Sequence, residues 1–119
     1  MIPEAFEKAI TSNTKAVIPV HMAGHACDME KIYAIAKKYD IKVIEDAAHA
    51  HGGQCSGKMI GSYGDMSIFS FQNGKIMTCG EGGALVTNNE YLYKRAYLIH
   101  GVGQVKTVIE LLKSLNTLV

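Results

Sequence analysis

Residues 16–46, AVIPVHMAGHACDMEKIYAIAKKYDIKVIED, decide the fold of this chain. Two apolar runs, at 16–20 and 41–46, are typical of strands that are covered on both faces. Between them, Asp28 can cap a helix whose apolar residues recur at i, i+3, i+4 and i+7: Ile32, Ile35, Ala36 and Tyr39. The pattern predicts a strand–helix–strand unit with parallel strands and a right-handed crossover.

The segments on either side continue the alternation of helix and strand. We predict a short helix from Pro3 to near Thr11, a glycine-rich loop at 51–65, strands at 66–71 and 83–88, and a helix at 89–100 that is capped by Asn89. The fold class is therefore α/β, with a mostly parallel sheet flanked by helices.

Length and composition restrict the function classes. The chain has 119 residues, enough for one modest domain, and its net charge of +1 indicates neither a nucleic-acid nor a membrane partner. No apolar run approaches the roughly 20 residues that span a bilayer, and none resembles a signal peptide. Three cysteines without C-x-x-C spacing suit free thiols. We expect a cytoplasmic protein.

Two reactive side chains follow neighbouring strands. Asp46 ends the strand at 41–46, and Ser70 and Lys75 follow the strand at 66–71. Ligands of open α/β sheets bind beyond the carboxyl ends of the strands, so these groups are expected at one edge. A strand-end aspartate is also a common turn former, and a lysine before a glycine turn is commonly solvated; both readings stay open here.

A lysine and an acid at one sheet edge suggest pyridoxal phosphate. A lysine in apolar surroundings is easier to use as a neutral amine, which forms a Schiff base with an aldehyde. The cofactor also needs an acid beside its pyridine nitrogen, and Asp46 could supply it. Ser70 and the backbone N–H groups of the nearby turn could bind its phosphate.

Three motifs, in order, strengthen this interpretation: VIEDAAHAHGG (43–53), GSYGDMSIFSFQNGK (61–75) and CGEGGALVTNN (79–89). Together they resemble the DegT/DnrJ/EryC1/StrS family of sugar and cyclitol aminotransferases, which depend on pyridoxal phosphate and have fold type I. The resemblance covers roughly residues 3 to 103. It implies that the chain is the central part of the large domain of such an enzyme.

The resemblance also implies roles for individual residues. Lys75 would be the Schiff-base lysine and the base that moves the proton, and Asp46 would pair with the pyridinium nitrogen. Ala48 would pack under the ring, and His49 would hydrogen-bond near the ring hydroxyl. Ser70 would bind the phosphate, with Gln72 as a further cofactor-binding candidate nearby. Relatives with histidine in place of the lysine perform dehydration, so Lys75 favours transamination.

The implied reaction transfers an amino group from glutamate or glutamine to a nucleotide-linked keto sugar or keto-cyclitol, in a homodimer. We predict that residues 1–104 belong to the cofactor-binding large domain. Residues 105–119 are predicted to form an amphipathic helical tail that does not resemble the family. The family's phosphate loop and small domain have no counterpart here, so we hypothesise a fragment or the product of a truncated or frameshifted gene. The alternative function is a non-catalytic α/β remnant or interaction module.

Histidines and cysteines suggest metal sites only weakly. His21, His25 and Cys27 form one group, and His49, His51 and Cys55 form another. Neither spacing matches a zinc pattern, so we expect no metal.

Overall fold

A computed structural model describes residues 1–100 of the chain. Met1–Val86 form one compact unit, and a second begins at Thr87. The α-helices and strands of the first unit are α1 (Pro3–Ala9), β1 (Ala16–Val17), α2 (Met29–Lys38), β2 (Lys42–Asp46), β3 (Gln54–Cys55), β4 (Lys58–Met59), β5 (Met66–Ser70) and β6 (Gly83–Val86). The second contains α3 (Glu90–His100). The predicted tail at 105–119 lies outside the described residues.

A four-stranded sheet organises the first unit, with the strand order β1-β2-β5-β6. Strands β1, β2 and β5 are parallel, and β6 is antiparallel to β5. The predicted α/β fold with a mostly parallel sheet is therefore confirmed. Within the glycine-rich segment at 51–65, which was predicted as a loop, β3 and β4 form a hairpin. Ser56 and Gly57 connect them with φ angles of +48° and +75°, as a tight hairpin turn requires.

The first predicted strand is shorter than its apolar run. Only Ala16 and Val17 pair as a regular strand, although an isolated bridge joins Val20 to Asp46 in the same register. Pro19 has no N–H to donate and interrupts the ladder between them. Within the described residues only one face of this run is covered, because Val17 is buried whereas Ile18 is 52% exposed.

The helix α2 covers one face of the sheet, and α1 packs against α2. Asp28 caps α2 as predicted, since its carboxylate accepts a hydrogen bond from the N–H of Lys31 at 3.2 Å. The core beneath the helices is apolar and consists of Val17, Cys27, Met29, Ile32, Ala36, Ile41 and Val43. Each large aliphatic side chain that is fully buried there stabilises the fold by about 1.5–3 kcal/mol. The predicted apolar stripe of α2 is confirmed at Ile32 and Ala36, whereas Tyr39 is 43% exposed.

The other face of the sheet is uncovered in the first unit. Paired residues of adjacent strands point to the same side, so the register assigns to this open face the apolar side chains Ile18, Val20, Ile44, Met66, Ile68 and Leu85. Four of them are at least 36% exposed: Ile18, Val20, Ile68 and Leu85. Contiguous apolar surface of this kind is rare on soluble monomers.

We predict that the chain self-associates when it is expressed by itself, because the open face would otherwise stay in water. Sizing chromatography with light scattering measures this directly. Replacing Ile18 and Leu85 with threonine should shift the chain toward the monomer. A monodisperse wild-type monomer would contradict the prediction.

The helix α3 of the second unit begins as the sequence predicted. The side-chain oxygen of Asn89 accepts a hydrogen bond from the N–H of Leu92 at 3.0 Å. Lys94 and Glu90, one turn apart, form an ion pair at 2.9 Å. Among residues 1–100, no helix has both the length and the apolar character needed to cross a membrane.

Candidate functional site

The backbone at Asp46 is held between two strands. Its N–H donates to the carbonyl of Pro19 at 2.9 Å, and its carbonyl accepts from the N–H of His21 at 3.0 Å. One carboxylate oxygen, Oδ1, accepts from the N–H of Ala48 at 3.1 Å, and Oδ2 has no hydrogen-bond partner among residues 1–100. Asp46 thus ends β2 on the open face with a carboxylate oxygen available.

Lys75 lies in the loop that connects β5 and β6. Its N–H donates to the carbonyl of Gln72 at 2.9 Å, and its Nζ has no partner among the described residues. The side chain is half-buried, but the next residue, Ile76, is 84% exposed. Residues 1–100 therefore do not by themselves exclude water from Lys75, contrary to the apolar setting that we expected from the sequence.

Two small cavities adjoin at the carboxyl ends of the strands. One, of about 210 Å³, is lined by Ala23, Ala48, His49, Gly74, Lys75 and Ile76. The other, of about 130 Å³, is lined by Val20, Met22, Asp46, Ala48 and His49. Because Ala48 and His49 line both, Lys75 and Asp46 border adjoining cavities that share these two residues.

Ser70 and Gln72 line neither cavity. Ser70 is two residues beyond Ile68, which pairs with Asp46, so Ser70 and Asp46 point to the same face of the sheet. The Oγ of Ser70 accepts from the N–H of Gln72 at 3.4 Å. The Oε1 of Gln72 accepts from the N–H of Gly74 at 2.8 Å. The described contacts of Gln72 thus shape the loop that leads to Lys75.

Glu45, on the covered face, is the hub of a buried polar network. Its Oε1 accepts from the N–H groups of Tyr63 at 2.6 Å and Gly64 at 2.8 Å. Its Oε2 accepts from the N–H of Gly61 at 2.8 Å and faces Nε2 of His21 at 3.3 Å. The carboxylate therefore binds the loop at 61–64 to the end of β2.

Burial of Glu45 would by itself raise the pKa of its carboxyl group, because it penalises the charged form. Hydrogen bonds from His21 and from the N–H groups of Gly64, Gly61 and Tyr63 stabilise that form more strongly. The pKa of Glu45 consequently lies below its ordinary value of 4.5. The group is ionised in the folded chain at neutral pH.

The lowered pKa of Glu45 predicts how stability depends on pH. A carboxyl group whose pKa is lower in the folded state stabilises the fold fully above its unfolded-state pKa and loses that contribution as pH falls through the folded-state pKa. We expect the melting-temperature difference between wild type and Glu45→Gln to be constant above about pH 4.5 and to shrink below it. Thermal melts across this range check the expectation, and a difference that persists unchanged at about pH 2 would contradict it.

Gly64 is required because its position has no room for a side chain. A Cβ there would lie 2.7 Å from the carbonyl oxygen of Val43 and 3.0 Å from that of Met66. We expect Gly64→Ala to lower the free energy of unfolding by roughly 1–3 kcal/mol, the usual cost of overpacking. Urea unfolding measures the loss. The control is Gly57→Ala, which has a strained φ of +75° but no atom within 4 Å of the added Cβ, and an equal loss in both variants would contradict a steric cause.

The histidines and cysteines considered as metal ligands have other surroundings. Nδ1 of His21 accepts from the N–H of Cys27 at 3.1 Å, so both ring nitrogens have protein partners. His51 lies between Phe69 and Phe71, with ring centroids 5.6 Å from each, and its nitrogens have no partner among the described residues. Within residues 1–100, no three His, Cys, Asp or Glu side chains form a group that could hold a metal ion.

Some residues around the cavities were missed by sequence reasoning. Val20, Met22 and Ala23 belong to a segment that reads only as a loop, and Ala23 has a left-handed φ of +52°. The sequence also did not predict the buried contact between Glu45 and His21. The adjacent acids at the end of the strand were a usable signal, because alternation places Glu45 and Asp46 on opposite faces.

Comparison with known proteins supports the same assignment of the fold. The family model of the DegT/DnrJ/EryC1/StrS aminotransferases matches residues 1–114, ten positions beyond the predicted boundary at residue 104. An uncharacterised protein of Methanocaldococcus jannaschii is 50% identical over 103 residues, which are 85% of this chain and 27% of that protein. GDP-perosamine synthase of Escherichia coli O157:H7 is 48% identical over 97 residues, 82% of this chain and 27% of the relative.

A solved structure has the same fold. It is NtdA from Bacillus subtilis with bound cofactor PMP, which is 41% identical and superposes with a TM-score of 0.73 over 80% of this chain and 21% of its own. The present chain spans about a quarter of the length of the curated relatives that it matches. Its α/β unit is part of the fold type I architecture of the aminotransferases. On the family model and these relatives, the chain belongs to the DegT/DnrJ/EryC1/StrS aminotransferase family.

Proposed function

We propose that this chain carries the pyridoxal-phosphate-holding part of a sugar aminotransferase. One observation carries the proposal: Lys75 and Asp46 line adjoining cavities that share Ala48 and His49. An amine and a carboxylate that border such cavities are the groups that a pyridine aldehyde requires. The known cofactor of NtdA, PMP, supports the same chemical class.

The residues present fit the cofactor. The amine Nζ of Lys75 and the Oδ2 of Asp46 have no hydrogen-bond partner among residues 1–100, so neither must give up a protein contact to bind it. Ala48 is half-buried and adds only a methyl group to the wall that both cavities share, which leaves room for a flat ring. Ser70 adds a hydroxyl to the same face of the sheet as Asp46.

When bound, pyridoxal phosphate supplies an aldehyde that exchanges amino groups and a ring that withdraws electrons. Lys75 would hold the aldehyde carbon through Nζ and afterwards move a proton at the substrate carbon. The carboxylate of Asp46 would keep the ring nitrogen protonated, and His49 would hydrogen-bond at the ring edge. Ser70 would bind the phosphate, and Gln72 would order the turn before Lys75.

The substrates follow from the family and the named relatives. We propose glutamate or glutamine as the amino donor and a nucleotide-linked keto sugar or keto-cyclitol as the acceptor, which GDP-perosamine synthase supports. We propose a homodimer, supported by Ile76 and Met77, which expose 84% and 59% of their surface beside Lys75. The free thiols of Cys27, Cys55 and Cys79 suit the cytoplasm.

A trapping experiment tests the proposal. The chain is incubated with pyridoxal phosphate, its visible absorbance is recorded, the mixture is reduced with borohydride, and the adduct is mapped by peptide mass spectrometry. We expect one adduct, on Lys75, and its loss or scatter over other lysines in Asp46→Ala. Adducts spread over many lysines in the wild type would overturn the proposal and favour the non-catalytic α/β module.

A further inference from the structure

The buried residue His21 binds the backbone of Asp46. The N–H of His21 donates to the carbonyl of Asp46 at 3.0 Å, while its imidazole contacts Glu45 at 3.3 Å. The side chains of His21 and Glu45 have no solvent-exposed surface. His21 therefore holds both of the last two residues of β2, one through its main chain and one through its ring.

The contacts of His21 determine where its ring proton lies. Nδ1 accepts a hydrogen bond from the N–H of Cys27, so Nδ1 carries no proton. The proton of the neutral ring is then on Nε2, which donates to Oε2 of Glu45. The ring is fixed at both ends, and the orientation of Glu45 is fixed with it.

The network acts on the face opposite the cavities. Glu45 points to the covered face and binds three N–H groups of the loop at 61–64, whereas Asp46 points to the open face. Only Oδ1 of Asp46 has a protein partner among residues 1–100, the N–H of Ala48. The direction of the free Oδ2 therefore depends on the backbone that His21 and Glu45 hold.

Stability alone is a weak reason for such a network. Burying a charged carboxylate carries a desolvation cost, and apolar residues of similar volume commonly give equal or greater stability than a buried ion pair. Directional hydrogen bonds additionally fix a backbone position. In a reacting site, a displacement of about 1 Å can cost on the order of 100-fold in rate.

We propose that His21 and Glu45 are positioning residues that hold the carboxylate of Asp46 in place for the ring nitrogen of the cofactor. The inference rests on the proposed function in one respect, the identity of the group that Asp46 meets. The contacts by which His21 and Glu45 fix the position of Asp46 are present in the chain without cofactor. Two sets of measurements separate these two claims.

Two variants of His21 each remove one of its two ring contacts and keep the other. In His21→Gln, the amide N–H reaches the place of Nε2 and can still donate to Glu45, but the acceptor for Cys27 is lost. In His21→Asn, the amide oxygen takes the place of Nδ1 and accepts from Cys27, but the donor to Glu45 is lost. Each variant removes one buried hydrogen bond, so a purely structural role predicts similar effects from both.

The first measurement uses the chain without cofactor. NMR follows the carboxyl ¹³C shift of Asp46 and the exchange of its amide proton, with the amide of Ile32 as a reference for global opening. In His21→Gln, we expect the carboxyl shift and the amide exchange rate of Asp46 to match those of wild type. In His21→Asn, we expect the carboxyl signal to shift and the amide of Asp46 to exchange at least about tenfold faster. Equal behaviour of the two variants would overturn the proposal.

If His21→Asn does not fold, the tautomer of the His21 ring in the wild-type chain still tests the proposal. Its ¹⁵N spectrum at neutral pH should show a single neutral tautomer with the proton on Nε2. A ring that exchanges between tautomers is not held between Cys27 and Glu45, and that result would overturn the proposal.

The second measurement adds pyridoxal phosphate and follows binding by the change in its absorbance. His21→Asn should bind at least about tenfold more weakly than wild type, with an altered pH dependence of the absorbance, and His21→Gln should restore both. Equal affinity and spectra in all three proteins would overturn the positioning role. A wild-type chain that does not bind the cofactor would instead refute the proposed function, while the NMR comparison would still decide whether His21 holds Asp46.

Discussion

Replacing Lys75 with arginine is expected to abolish the borohydride-stable cofactor adduct while leaving the fold intact. Arginine keeps the positive charge, but its guanidinium stays protonated at every accessible pH and cannot attack an aldehyde. The Nζ of Lys75 makes no hydrogen bond or ion pair with another described residue, so the substitution breaks none among residues 1–100. We expect the free energy of unfolding to change by no more than about 0.5 kcal/mol.

The matched control is Lys37→Arg, on the exposed side of α2. Peptide mass spectrometry after reduction should find the adduct in the control at the wild-type yield and none above background in Lys75→Arg. Urea unfolding confirms that both variants are folded. An undiminished adduct in Lys75→Arg would show that another amine holds the cofactor, and the assignment of Lys75 would then be wrong.

Replacing Glu45 with alanine is expected to cost about 3–5 kcal/mol of folding free energy, the usual loss when one partner is removed from a buried pair. The substitution leaves the N–H groups of Gly61, Tyr63 and Gly64 and the Nε2 of His21 without an acceptor. Each buried donor that loses its acceptor lowers the free energy of unfolding. Because the total free energy of unfolding of a small domain is only about 5–15 kcal/mol, much of the variant population should unfold.

Urea unfolding followed by circular dichroism measures this effect. The control is Glu30→Ala, an exposed acid in the first turn of α2, which should change the free energy of unfolding by about 0.5 kcal/mol or less. A midpoint for Glu45→Ala within error of the control would contradict the role of Glu45 as the hub of the network.

Much of the fold could be predicted because it depends on local patterns. The helical spacing from Ile32 to Ala36 and the side-chain cap at Asp28 act within a few residues, and both are confirmed. The apolar run at 16–20 predicts a strand, but how much of it is covered is a tertiary property. Its pattern does not tell which face meets helices, and Pro19 interrupts a ladder that hydrophobicity alone would continue.

The candidate site could be predicted in part, since sheet topology brings strand ends together. Asp46 and Lys75 were named from the strand ends, and Ala48 and His49 from the family resemblance. All four line the two adjoining cavities. The network under Asp46 could not be predicted. It joins Glu45 to residues 24 positions before it and up to 19 after it, and no local pattern reports such a hydrogen bond.

We propose that Lys75 and Asp46 act on one bound cofactor, and a double-mutant cycle measures whether they do. The affinity for pyridoxal phosphate is measured by absorbance titration in wild type, Lys75→Ala, Asp46→Ala and the double variant. We predict non-additive losses, with a coupling free energy of at least about 0.5 kcal/mol, because the two groups share one ligand. Losses that add within error, or no loss in either single variant, would contradict the claim.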